Sequence, residues 1–99
     1  MPKGYVVVNV KVTNTERYPE YAKRAYETVV RFGGNYLTRA SAPEIKEGHP
    51  QLARFVILEF PSLADARRWY DSDEYRPIRA LRWEWAESEL FFVEGLTQS

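Results

Sequence analysis

Charged residues on otherwise apolar stretches are the first candidates for chemistry in this chain. Arg39 stands in NYLTRA, Glu59 in FVILEF and Arg82 in IRALR. A buried charge without a partner is unfavourable, so each of these side chains should meet either a counter-ion or a ligand. An arginine fork suits a small carboxylate or enolate, and a glutamate whose pKa is raised by burial can act as a general base.

A purely structural interpretation of Arg39 and Glu59 is equally open. The two residues lie on stretches that a hairpin would make neighbouring strands, so an ion pair between them would tie that hairpin together. In the functional interpretation they are the catalytic candidates of the chain. The sequence alone does not decide between the two.

The candidate ligand-binding residues are Asn9, Trp69, Tyr70, Tyr75 and Arg82. The two tyrosine hydroxyls would donate hydrogen bonds to a ligand, and Trp69 would form an apolar wall. Asn9 is the only polar residue in the middle of the apolar stretch at 4–12. The structural alternatives are core packing for the aromatic residues and an edge or bridging hydrogen bond for Asn9.

Composition excludes several classes of function. The chain has no cysteine, which excludes disulfides and thiol chemistry, and its single histidine, His49, cannot build a histidine-based metal site alone. Fourteen basic residues balance fourteen acidic ones, so no net field favours nucleic acid or an anionic membrane. With no phosphate loop or dinucleotide fingerprint, we expect no metal, no cofactor and no nucleic-acid partner.

The amino terminus and the hydropathy indicate a cytoplasmic protein. No apolar run approaches the roughly 18 residues of a membrane span, and residues 1–3 lead directly into a strand instead of a signal peptide. We therefore expect no membrane association.

Hydrophobic periodicity predicts an alternation of strands and helices. The first helix starts near Asn14 and ends at Gly33-Gly34, and the second starts at Ser62, with a further helical segment capped by Ser72. β-Branched and aromatic runs predict strands at residues 4–12, 35–40, 55–60 and 89–94.

The carboxy-terminal part contains two features that the periodicity does not explain. Trp83 and Trp85 are two residues apart, a spacing that no single helix face accommodates, so we expect one beneath the helix end and the other against a partner chain. Residues 97–99 are predicted to form a frayed tail after a single domain at 1–96.

This order predicts an α+β, ferredoxin-like βαββαβ fold, with a four-stranded antiparallel sheet and two helices on one face. Residues 6–12, 55–60 and 90–93 are apolar on both strand faces, although the helices can cover only one. The uncovered face would expose a large apolar patch. We therefore expect a two-fold homodimer that packs sheet against sheet.

Nearly the whole chain follows the pattern of a known family. The most specific block runs from Glu59-Phe60-Pro61-Ser62 to Trp69-Tyr70, Ser72 and Glu74-Tyr75, and it is preceded by Gly4-Tyr5, Phe32-Gly33-Gly34 and Tyr36-Leu37-Thr38-Arg39. On these residues the chain resembles the small bacterial domain-of-unknown-function family 1330, within the dimeric α+β barrel superfamily. The resemblance implies a ferredoxin-like dimer with a pocket between sheet and helices. The family is itself uncharacterised, and related superfamily members include cofactor-free monooxygenases and isomerases.

Three functions agree with these observations. The first is a cofactor-independent enzyme that acts by proton transfer or oxygenation on a small aromatic or carboxylate compound. The second is a non-catalytic protein that binds such a compound. The third is a purely structural homodimer whose polar residues tie the core.

Overall fold

The computed structural model describes residues 2–97 and has the predicted ferredoxin-like topology. Its elements are β1 (Gly4–Val12), α1 (Tyr18–Arg31), β2 (Asn35–Ser41), β3 (Arg54–Phe60), α2 (Leu63–Tyr70), α3 (Arg76–Trp85) and β4 (Ala86–Glu94). A turn at residues 71–75 divides the second helical region into α2 and α3, and α3 is the further helical segment predicted after Ser72. Gln98 and Ser99, the end of the predicted tail, lie outside the described residues.

All neighbouring strands of the sheet are antiparallel, in the order β2-β3-β1-β4. The central strand β1 pairs Val6 with Leu58 on one side and with Phe92 on the other. These residues face the helices, as do Val8, Val10 and Phe60, and together with Trp69 and Tyr75 they form the core. The side chains on the helix-facing side of each strand therefore form the sheet surface next to the cavity described below.

The other face of the sheet has no helix against it. Val7 pairs with Ile57 and Phe91 across the ladders, so an apolar stripe crosses three strands on this open face. The side chains of Phe91 and Val93 are 54% and 49% exposed. The predicted uncovered apolar face is thus present in the protomer.

The predicted signals at Ser62, Gly33 and Ser72 act as expected, whereas α1 begins at Tyr18 instead of near Asn14 and its cap residue, Arg17, makes no side-chain cap. The side-chain oxygen of Ser62 accepts a hydrogen bond from the Asp65 backbone N–H at 3.1 Å, which caps α2. Gly33 follows α1 with φ +84°, a left-handed conformation that glycine adopts without strain. Ser72 caps the turn before α3 by accepting a hydrogen bond from the Tyr75 N–H at 3.1 Å.

Close packing of Gly4 sets the position of α2 on the sheet. A Cβ atom at Gly4 would lie 2.5 Å from the Cα of Leu63, a distance that a side chain cannot adopt. The first turn of α2 therefore touches the backbone of β1 directly. This contact fixes the helix that presents Trp69 to the cavity.

The last strand begins earlier than predicted, at Ala86 instead of residue 89. Its ladder with β1 extends to the pairs Lys11–Glu87 and Val12–Ala86, which continues the strand up to the end of α3. Trp85 is buried at this junction, where its carbonyl accepts hydrogen bonds from the N–H groups of Thr13 and Asn14. Trp83 is exposed, so the two tryptophans do take different environments.

Candidate functional site

A small cavity lies between α1, β2 and the helix-facing side of the sheet. Its volume is about 80 Å³, and it is open to solvent on the side where Arg39 and Ala40 are exposed. Val8, Val56 and Leu58 form its floor on the sheet. Its polar and aromatic lining consists of Tyr18, Tyr21, Tyr36, Arg39, Trp69 and Arg82, so the lining includes two arginines and no carboxylate.

Arg82 is the charged group at the inner end of this cavity. Its residue is only 3% exposed, and its Nη1 donates a hydrogen bond to the phenol oxygen of Tyr75 at 3.1 Å. The phenol oxygens of Tyr75 and Tyr21 lie 2.7 Å apart and share a further hydrogen bond. Among residues 2–97 the buried Nε of Arg82 has no hydrogen-bond partner, and no carboxylate forms an ion pair with this guanidinium.

The protonation states of the cavity follow from burial. Desolvation raises the pKa of Tyr75 well above its ordinary value, and it also raises the pKa of Tyr21. Burial by itself would lower the pKa of Arg82, but the phenol oxygens of Tyr75 and Tyr21 outweigh this effect and the pKa is raised. At neutral pH the guanidinium is therefore charged while its phenol partners are neutral. The same desolvation raises the pKa values of Tyr18 and Tyr36.

Trp69 forms a rigid apolar wall beside this cluster. Its indole N–H donates to the Thr28 hydroxyl oxygen at 3.0 Å, and that hydroxyl donates in turn to the Ala25 carbonyl at 2.8 Å. The indole ring stacks on Tyr75 with ring centres 4.2 Å apart. Because its only donor is already bonded, Trp69 can offer a ligand its ring face and no hydrogen bond.

Tyr70 lies next to this group but not in the lining of the cavity. Its ring meets Phe92 edge-on, with centroids 5.7 Å apart, and the Arg79 guanidinium sits 4.6 Å from its centre. Arg79 also donates to the Tyr70 carbonyl at 3.1 Å. Tyr70 therefore joins α2, α3 and β4.

Arg39 reaches the mouth of the cavity from an irregular part of β2. The ladder between β2 and β3 shifts register between Tyr36 and Thr38 and again between Thr38 and Ser41. The Arg39 guanidinium carbon lies 5.3 Å from the ring centre of Tyr26 and 5.2 Å from that of Tyr36. These contacts hold the side chain on the helix side of the sheet.

Glu59 lies on the open face, away from the cavity. Its carboxylate accepts hydrogen bonds from the Lys3 ammonium at 3.3 Å and from the Tyr5 hydroxyl at 3.2 Å. In the β2–β3 ladder it stands opposite Asn35. The structure therefore separates Arg39 from Glu59, and the tie that Glu59 makes is to the start of β1.

Asn9 also lies on the open face, at the opposite end of β1. Its side-chain oxygen accepts a hydrogen bond from the Ala53 N–H at 2.8 Å, and its Nδ2 donates to the Gln51 carbonyl at 3.1 Å and to Glu89 at 3.2 Å. These bonds hold the connection between β2 and β3 against the sheet. Of the candidate site residues, Arg39, Trp69 and Arg82 thus line the cavity, and the buried Tyr75 lies behind the lining in contact with Trp69 and Arg82. Asn9, Glu59 and Tyr70 lie outside the lining.

A known family accounts for almost the entire chain. The sequence model of the domain of unknown function DUF1330 matches residues 3–96. The chain belongs to this family. The predicted resemblance is thereby confirmed, and solved structures share the ferredoxin-like fold described above. Comparison with proteins of curated function gives no match.

Solved structures share the DUF1330 fold at low sequence identity. A protein of unknown function from Rhodopseudomonas palustris is 18% identical, with a TM-score of 0.76 over 98% of this chain and 85% of that one. SnoaB, a cofactor-independent oxygenase from Streptomyces nogalater, is 12% identical, with a TM-score of 0.70 over 99% and 97% of the two chains. A candidate antibiotic biosynthesis monooxygenase from Nitrosomonas europaea is 23% identical, with a TM-score of 0.58 over 98% and 100%. At these identities the likeness establishes the fold.

Sequence reasoning missed the tyrosines that complete the cavity of this DUF1330 protein. Tyr18 and Tyr21 lie on the apolar stripe of α1, where they read as core residues, and Tyr36 is one of the alternating residues of β2. A buried phenol needs a hydrogen-bond partner, and this was the available signal. It could not identify the partner, because Tyr21 meets Tyr75 across 54 positions of sequence.

Residues 2–97 contain neither a candidate membrane-spanning helix nor a candidate metal-binding cluster. No helix in this part of the chain is both long and apolar enough to cross a bilayer. No group of three or more histidine, cysteine, aspartate or glutamate side chains in it is arranged to hold a metal ion.

Proposed function

We propose that each protomer binds a small aromatic anion in the cavity, with the anionic oxygen against Arg82, and stabilises the enolate or phenolate form of that compound. The working unit is a two-fold homodimer formed through the open face of the sheet. Such a site would serve a cofactor-independent enzyme of the proton-transfer or oxygenation type. The buried Arg82 guanidinium is the single observation that carries the proposal.

Arg82 supports an anionic ligand because its charge is uncompensated within the described protomer. A buried ion loses several kcal/mol of hydration, and neutral phenols return only part of this. Its free Nε is one of the two side-chain nitrogen or oxygen atoms among residues 2–97 that are buried without a partner, the other being Arg79 Nε. A carboxylate or enolate oxygen in the cavity would supply the missing negative charge beside the guanidinium.

The ring faces around Arg82 favour an aromatic skeleton for the anion. Trp69 and the half-buried phenols of Tyr18 and Tyr36 line the cavity, and the sheet contributes valine and leucine methyl groups. Such a pocket buries an apolar ring and leaves one polar end for the arginine. The combination selects a planar compound with an acidic group on one edge.

The catalytic part of the proposal is electrostatic. A guanidinium and a neutral phenol placed against a developing enolate oxygen lower the pKa of the adjacent C–H, because they stabilise the anion more than the neutral compound. We assign the proton acceptor to water, since the cavity lining contains no carboxylate or imidazole and Glu59 lies on the other face. SnoaB, a cofactor-independent oxygenase that shares the fold, supports this chemistry by analogy.

A non-catalytic binding protein is the second candidate, and the same lack of a base in the lining favours it. Positively charged and phenolic groups are sufficient to hold an anion without changing it. The two candidates share the ligand and differ only in turnover. One substrate probe can therefore distinguish them.

The dimer is proposed from the open face of the sheet. A second copy of the chain would cover an apolar surface on this face, formed by Val7, Leu37, Ile57, Phe91 and Val93. A two-fold axis would place the same surface of both chains in contact. The dimeric α+β barrel superfamily, which the resemblance of this chain implies, supports this arrangement.

Calorimetric titration with benzoate tests the anion site. We expect benzoate to bind and the neutral analogue benzyl alcohol to bind about 100-fold more weakly, since a desolvated arginine–carboxylate contact contributes about 2–5 kcal/mol. Arg82→Met should lose benzoate affinity to the same extent. Arg79→Met is the matched control, because Arg79 is one turn away on α3 and outside the cavity lining. Equal binding of both probes, or unchanged binding to Arg82→Met, would overturn the proposal.

Turnover is tested with phenylpyruvate, which has an aromatic ring, a carboxylate and an acidic C–H next to a carbonyl. Proton transfer moves a proton from that carbon through water to the carbonyl oxygen, and in deuterated water the carbon gains deuterium. An enzyme should accelerate this exchange over buffer and lose the acceleration in Arg82→Met. Binding without acceleration, and without oxygen uptake, would leave the non-catalytic binding protein; absence of binding would leave the structural dimer.

A further inference from the structure

The backbone beside Arg39 adopts a conformation that its sequence does not favour. Ala40 has φ +59°, in the left-handed region that residues with a Cβ rarely occupy, and the register of β2 shifts on both sides of Thr38. Bulges of this kind redirect side chains, and strained residues concentrate at functional sites. Here the result is that Arg39, on an exposed edge strand, lies in the lining of the cavity.

The environment of Arg39 holds its guanidinium without neutralising it. The rings of Tyr26 and Tyr36 contact it at 5.3 and 5.2 Å, and among residues 2–97 no carboxylate forms an ion pair with it. Stacking on aromatic rings uses the face of a guanidinium and leaves its N–H groups at the edge available. The mouth of the cavity therefore presents an oriented cation with free donors.

We propose that Arg39 binds a second acidic group of the ligand, so that the preferred compound is a small ring with two acidic groups. This inference rests on the proposed function, in which Arg82 holds the first acidic group at the inner end. Arg39 then determines specificity at the solvent side, and a ligand with one acidic group leaves it unpaired.

The size of the cavity limits the skeleton between the two groups. Pockets for drug-sized ligands measure roughly 300–1,000 Å³, whereas this cavity measures about 80 Å³. A single ring with its second acidic group at the open side agrees with this volume. Two acidic groups would also balance the two arginines of a lining that contains no carboxylate.

The test compares benzoate with the three benzenedicarboxylates, which add a second acidic group at the ortho, meta or para position. We expect at least one dicarboxylate to bind the wild-type protein about tenfold or more tightly than benzoate, since one additional charge-assisted pair corresponds to at least this factor. Arg39→Gln should abolish that advantage, so that this variant binds the dicarboxylate no more tightly than it binds benzoate. Arg24→Gln, which changes an exposed arginine of α1 outside the lining, should retain the advantage.

The outcomes separate this inference from the proposed function. If benzoate binds and no dicarboxylate binds more tightly, the second acidic group is excluded while the site at Arg82 stands. If the advantage persists in Arg39→Gln, Arg39 does not provide it and the inference is overturned. If neither benzoate nor any of the dicarboxylates binds, the proposed function fails, and the inference fails with it. Because Arg39 is exposed, circular dichroism should show an unchanged fold for Arg39→Gln.

Discussion

Replacing Arg82 by methionine should leave the stability of the ligand-free protein nearly unchanged. Arg82 is almost completely buried, and its described hydrogen-bond partner is the neutral phenol of Tyr75. If the arginine is present to bind an anion, the fold gains little from it. A methionine keeps an unbranched apolar stem in the same space and removes the buried charge.

The magnitude follows from two opposing contributions. Desolvation of the guanidinium costs several kcal/mol, and each hydrogen bond from a charged donor returns about 1.5–3 kcal/mol. The sum is close to zero, so Arg82→Met should change the free energy of unfolding by about 1 kcal/mol or less, or increase it. Tyr75→Phe should instead lower it by about 1–3 kcal/mol, because the buried charge then loses its acceptor.

Urea unfolding followed by tryptophan fluorescence, at a fixed protomer concentration, measures both variants. In the Arg82→Met background Tyr75→Phe should cost only about 1 kcal/mol, because there it breaks a hydrogen bond between two neutral phenols, those of Tyr75 and Tyr21. A loss of more than about 3 kcal/mol in Arg82→Met alone would refute the reasoning, since it would show that the fold itself compensates the charge.

Three further predictions address the phenols, the packing of α2 and the open face. Above pH about 10 the free energy of unfolding should fall by about 1.4 kcal/mol per pH unit for each phenol of raised pKa, because the unfolded chain releases protons that the folded chain retains. A titration followed by tyrosinate absorbance would contradict this if every phenol ionised near its ordinary pKa. Gly4→Ala should lower the free energy of unfolding by about 1–3 kcal/mol in a urea titration, because its Cβ would lie 2.5 Å from the Cα of Leu63, whereas Lys11→Ala, an exposed change on the same strand, should be nearly neutral. Phe91→Asp should convert the dimer to a monomer in sedimentation, whereas Val30→Asp, which is equally exposed on α1, should remain a dimer; a wild-type monomer would contradict the proposed interface.

Local sequence signals were sufficient for most of the fold. The alternating valines of β1 predicted a strand at 4–12, and the same bounds are found. Gly33 after α1 and Ser62 before α2 act through their own backbone conformation and side chain, so their effect does not depend on distant residues. Such signals can be recognised in the sequence because the residue and the backbone that it shapes lie within a few positions of each other.

The site could be predicted only in part, because register and helix packing determine it. The stretch NYLTRA alternates regularly, and nothing in it indicates the shifts that turn Arg39 into the cavity. Glu59 shares a strand face with Ile57, but which face the helices cover is decided by tertiary packing. The pairing of Tyr21 with Tyr75 likewise depends on how α1 and α3 pack.

The central claim is that Arg82 holds the acidic group of a small aromatic ligand, and a crystal structure with 3-bromobenzoate tests it most directly. The anomalous signal of bromine locates the ring independently of the protein. We expect the ring in the cavity between α1 and the sheet, with a carboxylate oxygen within hydrogen-bond distance of the Arg82 guanidinium. A ring bound elsewhere, or an Arg82 guanidinium that bonds only to the protein, would contradict the claim.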